Sequence, residues 1–351
     1  MKALVLAGGI GTRLRPISHT IAKQLVPVGG RPVLHHCLAS IARAGVREVG
    51  IIVGDHAKAI AGSVGDGSGF GLEVTYLHQP EPLGLAHAVV VARSFLGDDD
   101  FVMYLGDNVL ADGIDELAAG FRRDRPDAAI VVSHVADPTQ YGVAELDGAG
   151  RPVHVVEKSP TPPSNLALVG VYFFTPLVHA AVRAIKPSTR GEWEITDAIE
   201  WLLTTGRDVR AYEYNGHWTD TGNVADLLAC NHALLDLQQG AVDGKVDTES
   251  ELIGRVVVRE GASVSRSRVI GPVVVGTGST VTDSYLGPYT AIGDDCRIDR
   301  AGIDSSVVLD GARLSGVRHL TSCLIGRGAR VEAGPSTRLV VGDDAVIRVE
   351  R

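Results

Sequence analysis

The sequence predicts a two-part chain: a mostly parallel α/β sheet with helices on both faces, followed by a parallel β-helix. Three observations carry this reading. Over residues 1–240, short aliphatic and β-branched runs alternate with longer helical ones, the pattern of repeated βαβ units. Beyond about Gly240 the helical runs stop, and glycines and aliphatics return at intervals near six residues, as in stacked coils of short strands. Glycine fills 42 of 351 positions while aromatics make up 5%. That is about twice the usual glycine share, so the core is aliphatic and the chain turns often.

Each element follows in order. The opening "KALVLAG" reads as a buried strand, and "RPVLHHCLASIARAG" as a helix ending at Gly45. "EVGIIVG" is the next strand, "AKAIAGSVGDG" a short helix and "LEVTYLHQ" another strand. "LGLAHAVVVARSFLG" is a helix, and "DFVMYLGDN" a strand with polar residues at its carboxyl end. In such sheets ligands sit beyond the carboxyl ends of the strands. "AVDGKVDTESE" is the expected linker. The repeat region runs from about Leu252 to Gly334, with units such as "PYTAIG-DDCRID". The expected domains are therefore 1–240 and 241–351.

Bulk properties exclude several classes. The net charge is −9, from 33 Lys and Arg against 42 Asp and Glu, with no basic tract. A nucleic-acid polymer is thus not the expected partner. No stretch approaches the ~20 apolar residues of a membrane span, and "ALVLA" is too short for a signal segment. Cys37, Cys230, Cys296 and Cys323 lie far apart without CxxC pairing, which suits reduced thiols in a cytoplasm. A soluble, cytoplasmic protein is expected.

The loop "GGIGTRLRP" follows the first strand and precedes "AKQLVPV". Glycines let successive backbone N–H groups turn inward as an anion nest. Arg13 can add a bidentate phosphate contact and Lys23 a mobile positive charge. The loop has no GK[ST] of a Walker A motif. Asp107 in "YLGDN" and Asp220 in "HWTDTG" are candidates to hold a divalent cation between carboxylates and phosphates. Each could equally be a turn or cap residue. In "GEWEITD", Thr196 or Asp197 could cap a helix.

Together "LAGGIGTRLRP", "AKQLVPV", "QPEPLGLA", "LGDN", "YGVAELD", "VVEKSP", "GVYFF", "RGEWEITD" and "WTDTG" resemble the glucose-1-phosphate thymidylyltransferases. The hexapeptide tail resembles the long form of that family, found in antibiotic and deoxysugar pathways. The resemblance implies a Rossmann-like mixed-sheet nucleotidyltransferase domain followed by a left-handed parallel β-helix. It implies condensation of dTTP with glucose 1-phosphate to dTDP-glucose and pyrophosphate, with Mg²⁺ and without a covalent enzyme intermediate. Leu6, Gly8, Gly9, Gly11, Thr12, Arg13, Gln79, Gly84 and Asp107 match nucleotide-binding positions. Asn108, Tyr141, Gly142, Glu157, Lys158, Val169, Arg190 and Trp218 match positions for the sugar phosphate. Arg13, Lys23, Asp107, Lys158 and Asp220 are the expected catalytic set, with Asp107 and Asp220 on the metal. A homo-oligomer is expected.

The family's usual "EEKP" is "VEKSP" here, and Ile21-Ala22 stands where Ser often precedes the lysine. Neither removes a charge, though the proline behind Lys158 shifts by one place. Two alternatives stay open at this level. One is UTP or another hexose 1-phosphate as substrate. The other is a bifunctional chain with an acyltransferase tail, for which His319 is the tail's sole histidine.

Overall fold

The computed structural model describes residues 1–9 and 11–333. Ile10 of the glycine loop, Gly334 at the end of the repeats and the last part of the expected 241–351 domain lie outside the described residues. The chain divides into two compact units, Met1–Ile10 with Leu34–Asp220, and Gly11–Val33 with Thr221–Arg351.

The first unit is built on a nine-stranded mixed sheet. Lys2–Leu6 pairs in parallel with Glu48–Val53 on one side and Phe101–Leu105 on the other. Glu48–Val53 in turn carries Glu73–His78, again parallel. Leu166–Phe174 then runs antiparallel to Phe101–Leu105 and Ala128–His134, and Gly142–Leu146 and Pro152–Glu157 extend that side. A central strand covered on both faces must be apolar throughout. Ala3, Leu4 and Val5 meet that demand with no exposed surface.

The helix Val33–Arg43 buries Val33, Leu34, Cys37, Leu38 and Ile41, a single stripe at helical spacing. The helix expected over 83–97 is broken into Leu85–Val91 and Arg93–Leu96 at Ala92. Three successive valines precede the break, and β-branched side chains are stiff against the preceding helical turn. The strand expected through Asn108 stops at Leu105, turns at Gly106–Asp107, and restarts as Asn108–Leu110. Helix Ile195–Thr204 has Glu194 at its cap position. Thr196 and Asp197 lie inside the first turn, so neither caps it.

In the second unit, three 3₁₀ turns, Thr12–Leu14, Ile17–His19 and Lys23–Leu25, fold the 11–33 segment. Residues placed on sequence within 1–240 group here because their backbone is tied to later elements. Asn231 accepts from the Gly29 N–H at 2.9 Å, and Arg259 donates to the Gly30 carbonyl at 2.8 Å. Beyond helix Val224–Leu237 the chain winds into three parallel sheets, every third strand pairing with the next coil. Val256 pairs with Val273 and Val273 with Thr290, so these coils take 17 residues, and a later one, in which Ile298 pairs with Leu314, takes 16. Inward positions such as Val264, Val281, Ile298 and Leu314 are at most 1% exposed and form one aliphatic core.

Candidate active site

Four parallel strands end on one edge of the first unit, at Leu6, Val53, His78 and Leu105. Gly8, Gly9, Gln79 and Asp107 follow directly. Gly8 lies close to the neighbouring backbone: a Cβ there would sit 3.7 Å from the Gly54 nitrogen and 3.8 Å from Gln79 Oε1. Leu6 is buried, 9% exposed, and packs within the aliphatic core beneath this edge.

A two-stranded ribbon carries Asp220 to the edge at which Asp107 stands. Trp218–Asp220 pairs antiparallel with Asn108–Leu110, with Asp220 opposite Asn108, the residue after Asp107. Asn108 bridges the group: its amide donates to Asp107 Oδ1 at 3.0 Å and accepts from Trp218 Nε1 at 2.7 Å. The Tyr141 ring meets Trp218 edge-on at 5.3 Å. The Asp107 charge also reaches Cys37, whose thiol is held well above its ordinary range by burial first and this carboxylate second. Carboxylates are hard oxygen donors, the type suited to a divalent cation that keeps most of its waters and takes further oxygens from phosphates. No group of three or more metal-ligating side chains occurs among the described residues, so an all-protein cage is not offered.

A second cluster gathers on the antiparallel side. Gly142 pairs with Glu157 across the sheet. A Cβ on Gly142 would strike Leu168, Thr196 and Glu157 Oε2 at 2.8–3.0 Å, so only glycine lets these chains meet. Glu157 Oε1 lies 3.4 Å from Lys158 Nζ and 3.5 Å from Arg190 Nη1. Its Oε2 accepts from Thr196 at 3.3 Å. Lys158 adopts φ 40°, a turn that leaves its N–H donating to the Tyr141 carbonyl. Val169 is fully buried and lies where the pairing of Leu166–Phe174 shifts register. Only its main chain can face a ligand. Burial raises the Glu194 carboxyl above its usual range, with Ser188 and Arg190 partly opposing this; Ser188 donates to it at 2.9 Å.

Gly11, Thr12, Arg13 and Lys23 belong to the second unit. Gly11 has φ 71°, and a Cβ on it would lie 2.9 Å from Lys23 Cβ. Glycine thus allows the lysine stem to cross the loop. Ser18 donates to the Gly11 carbonyl at 2.6 Å. Thr12 and Arg13 are exposed.

Three contributors escape a sequence reading. His87 and the Trp193 carbonyl frame Gln79 and Gly84, and Glu194 joins the Arg190 network at 3.5 Å. Glu194 was visible as a carboxylate in "RGEWEITD", but only tertiary packing shows that it is buried.

The first unit thus carries a strand-edge glycine turn, two carboxylates at the ends of adjoining strands and a separate cluster of Lys158 and Arg190 around Glu157. The nucleotidyl transferase family model matches residues 2–236, and the GlmU-like C-terminal hexapeptide model matches 239–322. This agrees with a left-handed β-helix as the second fold. A glucose-1-phosphate thymidylyltransferase of Streptomyces griseus is 53% identical over 98% of both chains. One from Streptomyces antibioticus is 52% identical over the whole of both. Among solved structures, a candidate glucose-1-phosphate thymidylyltransferase from Bacillus anthracis, in complex with a sucrose, superposes with a TM-score of 0.64. It is 33% identical and covers 69% of this chain and 98% of its own. The chain belongs to the glucose-1-phosphate thymidylyltransferase family, in its form with a C-terminal hexapeptide-repeat domain.

Proposed function

We propose that the chain condenses dTTP with glucose 1-phosphate to give dTDP-glucose and pyrophosphate. The observation that carries this is the register that sets Asp220 opposite Asn108, the residue after Asp107, at the strand edge where Gly8 and Gln79 also stand. Full-length similarity to the two Streptomyces enzymes supports the choice of substrates.

In this reading the main chain of Gly8 and Gly9 is assigned to the triphosphate as an anion nest, and Gly11 and Thr12, close by in sequence, are assigned to the same group. Arg13 and Lys23, close by in sequence, are assigned to the same phosphates, neutralising charge around the α-phosphorus. Gln79 and Gly84 read the base, and Leu6 lines its floor. Lys158 and Arg190 hold the phosphate of the sugar, and Glu157 accepts from its hydroxyls. Gly142, Val169 and Asn108 contribute close backbone or amide contacts, and Tyr141 and Trp218 wall the hexose. The sugar phosphate oxygen attacks the α-phosphorus in line and pyrophosphate leaves, so the protein's task is positioning and charge neutralisation. Asp107 and Asp220 would hold Mg²⁺, which when bound screens the repulsion between the two phosphate groups.

We assign the chemistry to residues 1–240. The repeats of 241–351 are assigned to stability and self-association, because a parallel β-helix has to cover its terminal strand edges. A cytoplasmic setting is consistent with four cysteines of which none forms a disulfide. The test is product analysis by mass spectrometry after incubation with dTTP, glucose 1-phosphate and Mg²⁺. Formation of dTDP-glucose with equimolar pyrophosphate is expected, and none should form with excess chelator. Turnover undiminished by chelation would contradict the role given to the two aspartates.

A further inference from the structure

Gln79 carries an amide, and an amide can offer a ligand either an acceptor or a donor. Which end it offers decides which base it selects. Thymine and uracil present an N–H at ring position 3, flanked by carbonyls. Cytosine presents a bare ring nitrogen there beside an amino group.

The structure leaves no freedom in that choice. Gln79 Nε2 lies 3.3 Å from the Gly84 carbonyl oxygen and 2.9 Å from His87 Nδ1. A carbonyl can only accept, so the amide nitrogen has to be the end facing Gly84. With that end fixed, His87 Nδ1 has to be the acceptor of the second amide hydrogen, and the imidazole proton sits on Nε2. Both Gln79 donors are then used within the protein. The remaining group, Oε1, is turned toward the glycine loop, 3.8 Å from where a Gly8 Cβ would stand. An oxygen acceptor at that place suits the imide N–H of thymine or uracil and repels the lone pair of cytosine.

His87 is itself well held. It lies on the helix Leu85–Val91, its ring 6.0 Å from that of Trp193 and tilted by 32°. The Trp193 backbone clamps the helix start, donating to the Leu83 carbonyl at 2.8 Å and accepting from the Ala86 N–H at 3.0 Å.

We propose that His87 is a positioning residue that fixes the Gln79 amide with its oxygen toward the base, so that His87 sets the discrimination between imide pyrimidines and cytosine. This rests on the assignment of Gln79 to the base. The experiment therefore separates the two. Pyrophosphate release is measured with dTTP and with dCTP for the wild type, His87→Phe, His87→Asn, His87→Leu and Gln79→Leu, with melting temperatures recorded for each. His87→Phe keeps a ring against Trp193 but has no acceptor. His87→Asn loses the ring but places an amide oxygen where Nδ1 stood.

The expected result is a KM for dTTP raised roughly tenfold in His87→Phe, with the ratio of kcat/KM for dTTP over dCTP falling by a similar factor. The effect should lie in KM rather than kcat, and His87→Asn should retain most of the ratio. His87→Leu gives the same reading if the Phe variant fails to fold. The reverse order, with Phe retaining the ratio and Asn losing it, would show a packing role and overturn the proposal. So would a folded acceptor-free variant with an unchanged ratio while Gln79→Leu collapses it. A ratio unchanged in Gln79→Leu would overturn the base assignment itself.

Discussion

Asp107 concentrates the most chemistry in one side chain. It accepts from Asn108 at 3.0 Å, precedes the residue that pairs with Asp220, and its charge reaches Cys37. We predict that Asp107→Asn lowers kcat by about 10²–10³-fold, or ~2.7–4 kcal/mol of transition-state stabilisation. Its melting curve should stay close to that of the wild type; full activity with Mg²⁺ would remove Asp107 from the metal site. Glu194 yields a prediction of opposite kind. Its side chain is only 4% exposed, and burial raises its folded pKa above the ordinary glutamate range. The folded protein therefore holds this proton where the unfolded chain has lost it. Stability from this group is largest below about pH 4.5 and declines as pH rises through the raised folded value. Glu194→Gln should flatten that decline in urea unfolding measured between pH 4 and 7. An identical slope in the variant would assign it elsewhere, Asp197 being the neighbouring carboxyl also raised by burial.

Among the elements, legibility in the sequence followed periodicity. The strands Lys2–Leu6, Glu48–Val53 and Glu73–His78 are unbroken aliphatic or alternating runs between glycines, and each was readable. The break at Ala92 was not, because one buried alanine among valines carries no local stop signal. Coils of 17 and 16 residues also depart from three units of six, and residues such as Arg266, Asp283 and Arg300 between the strands adopt φ of 45–50°. The carboxylates and Glu157 were legible from their motifs. His87 was not, for a lone histidine on an apolar helix reads as packing. At this scale Gly84 is the sharpest test. It has φ 103°, and a Cβ on it would lie 2.4 Å from the Trp193 carbonyl oxygen. Gly84→Ala should cost about 1–3 kcal/mol of stability and raise KM for dTTP, because relieving the clash with Trp193 displaces the main-chain carbonyl to which Gln79 donates. In the β-helix, Ile298→Ala at a site 1% exposed should cost about 2–5 kcal/mol in calorimetry. A loss under 1 kcal/mol would mean that the coils repack around the gap.

Taken whole, the molecule ties its phosphate-loop segment to the repeats. On sequence alone the tail looks dispensable for chemistry, since every candidate group precedes Cys230. Within the second unit, however, Arg259 donates to the Gly30 carbonyl and Asn231 donates to the Tyr289 carbonyl at 3.0 Å. A Cβ on Gly30 would also stand 3.0 Å from Val274. Removing residues after Gly240 strips these supports from the segment that carries Arg13 and Lys23. We predict that such a truncation lowers the melting temperature and also raises KM for the nucleotide, whereas an unaltered KM would return the tail to a purely structural role. The central claim, a pyrimidine nucleotidyl transfer onto glucose 1-phosphate, is tested most directly by ranking kcat/KM for dTTP, UTP, dCTP, ATP and GTP in one pyrophosphate-release assay. The imide edge is common to thymine and uracil, and the extra methyl is worth about 1–3 kcal/mol at most. The expected order is dTTP first, UTP measurably behind, and dCTP and both purines poor; a purine triphosphate at the head of the ranking would overturn the assignment.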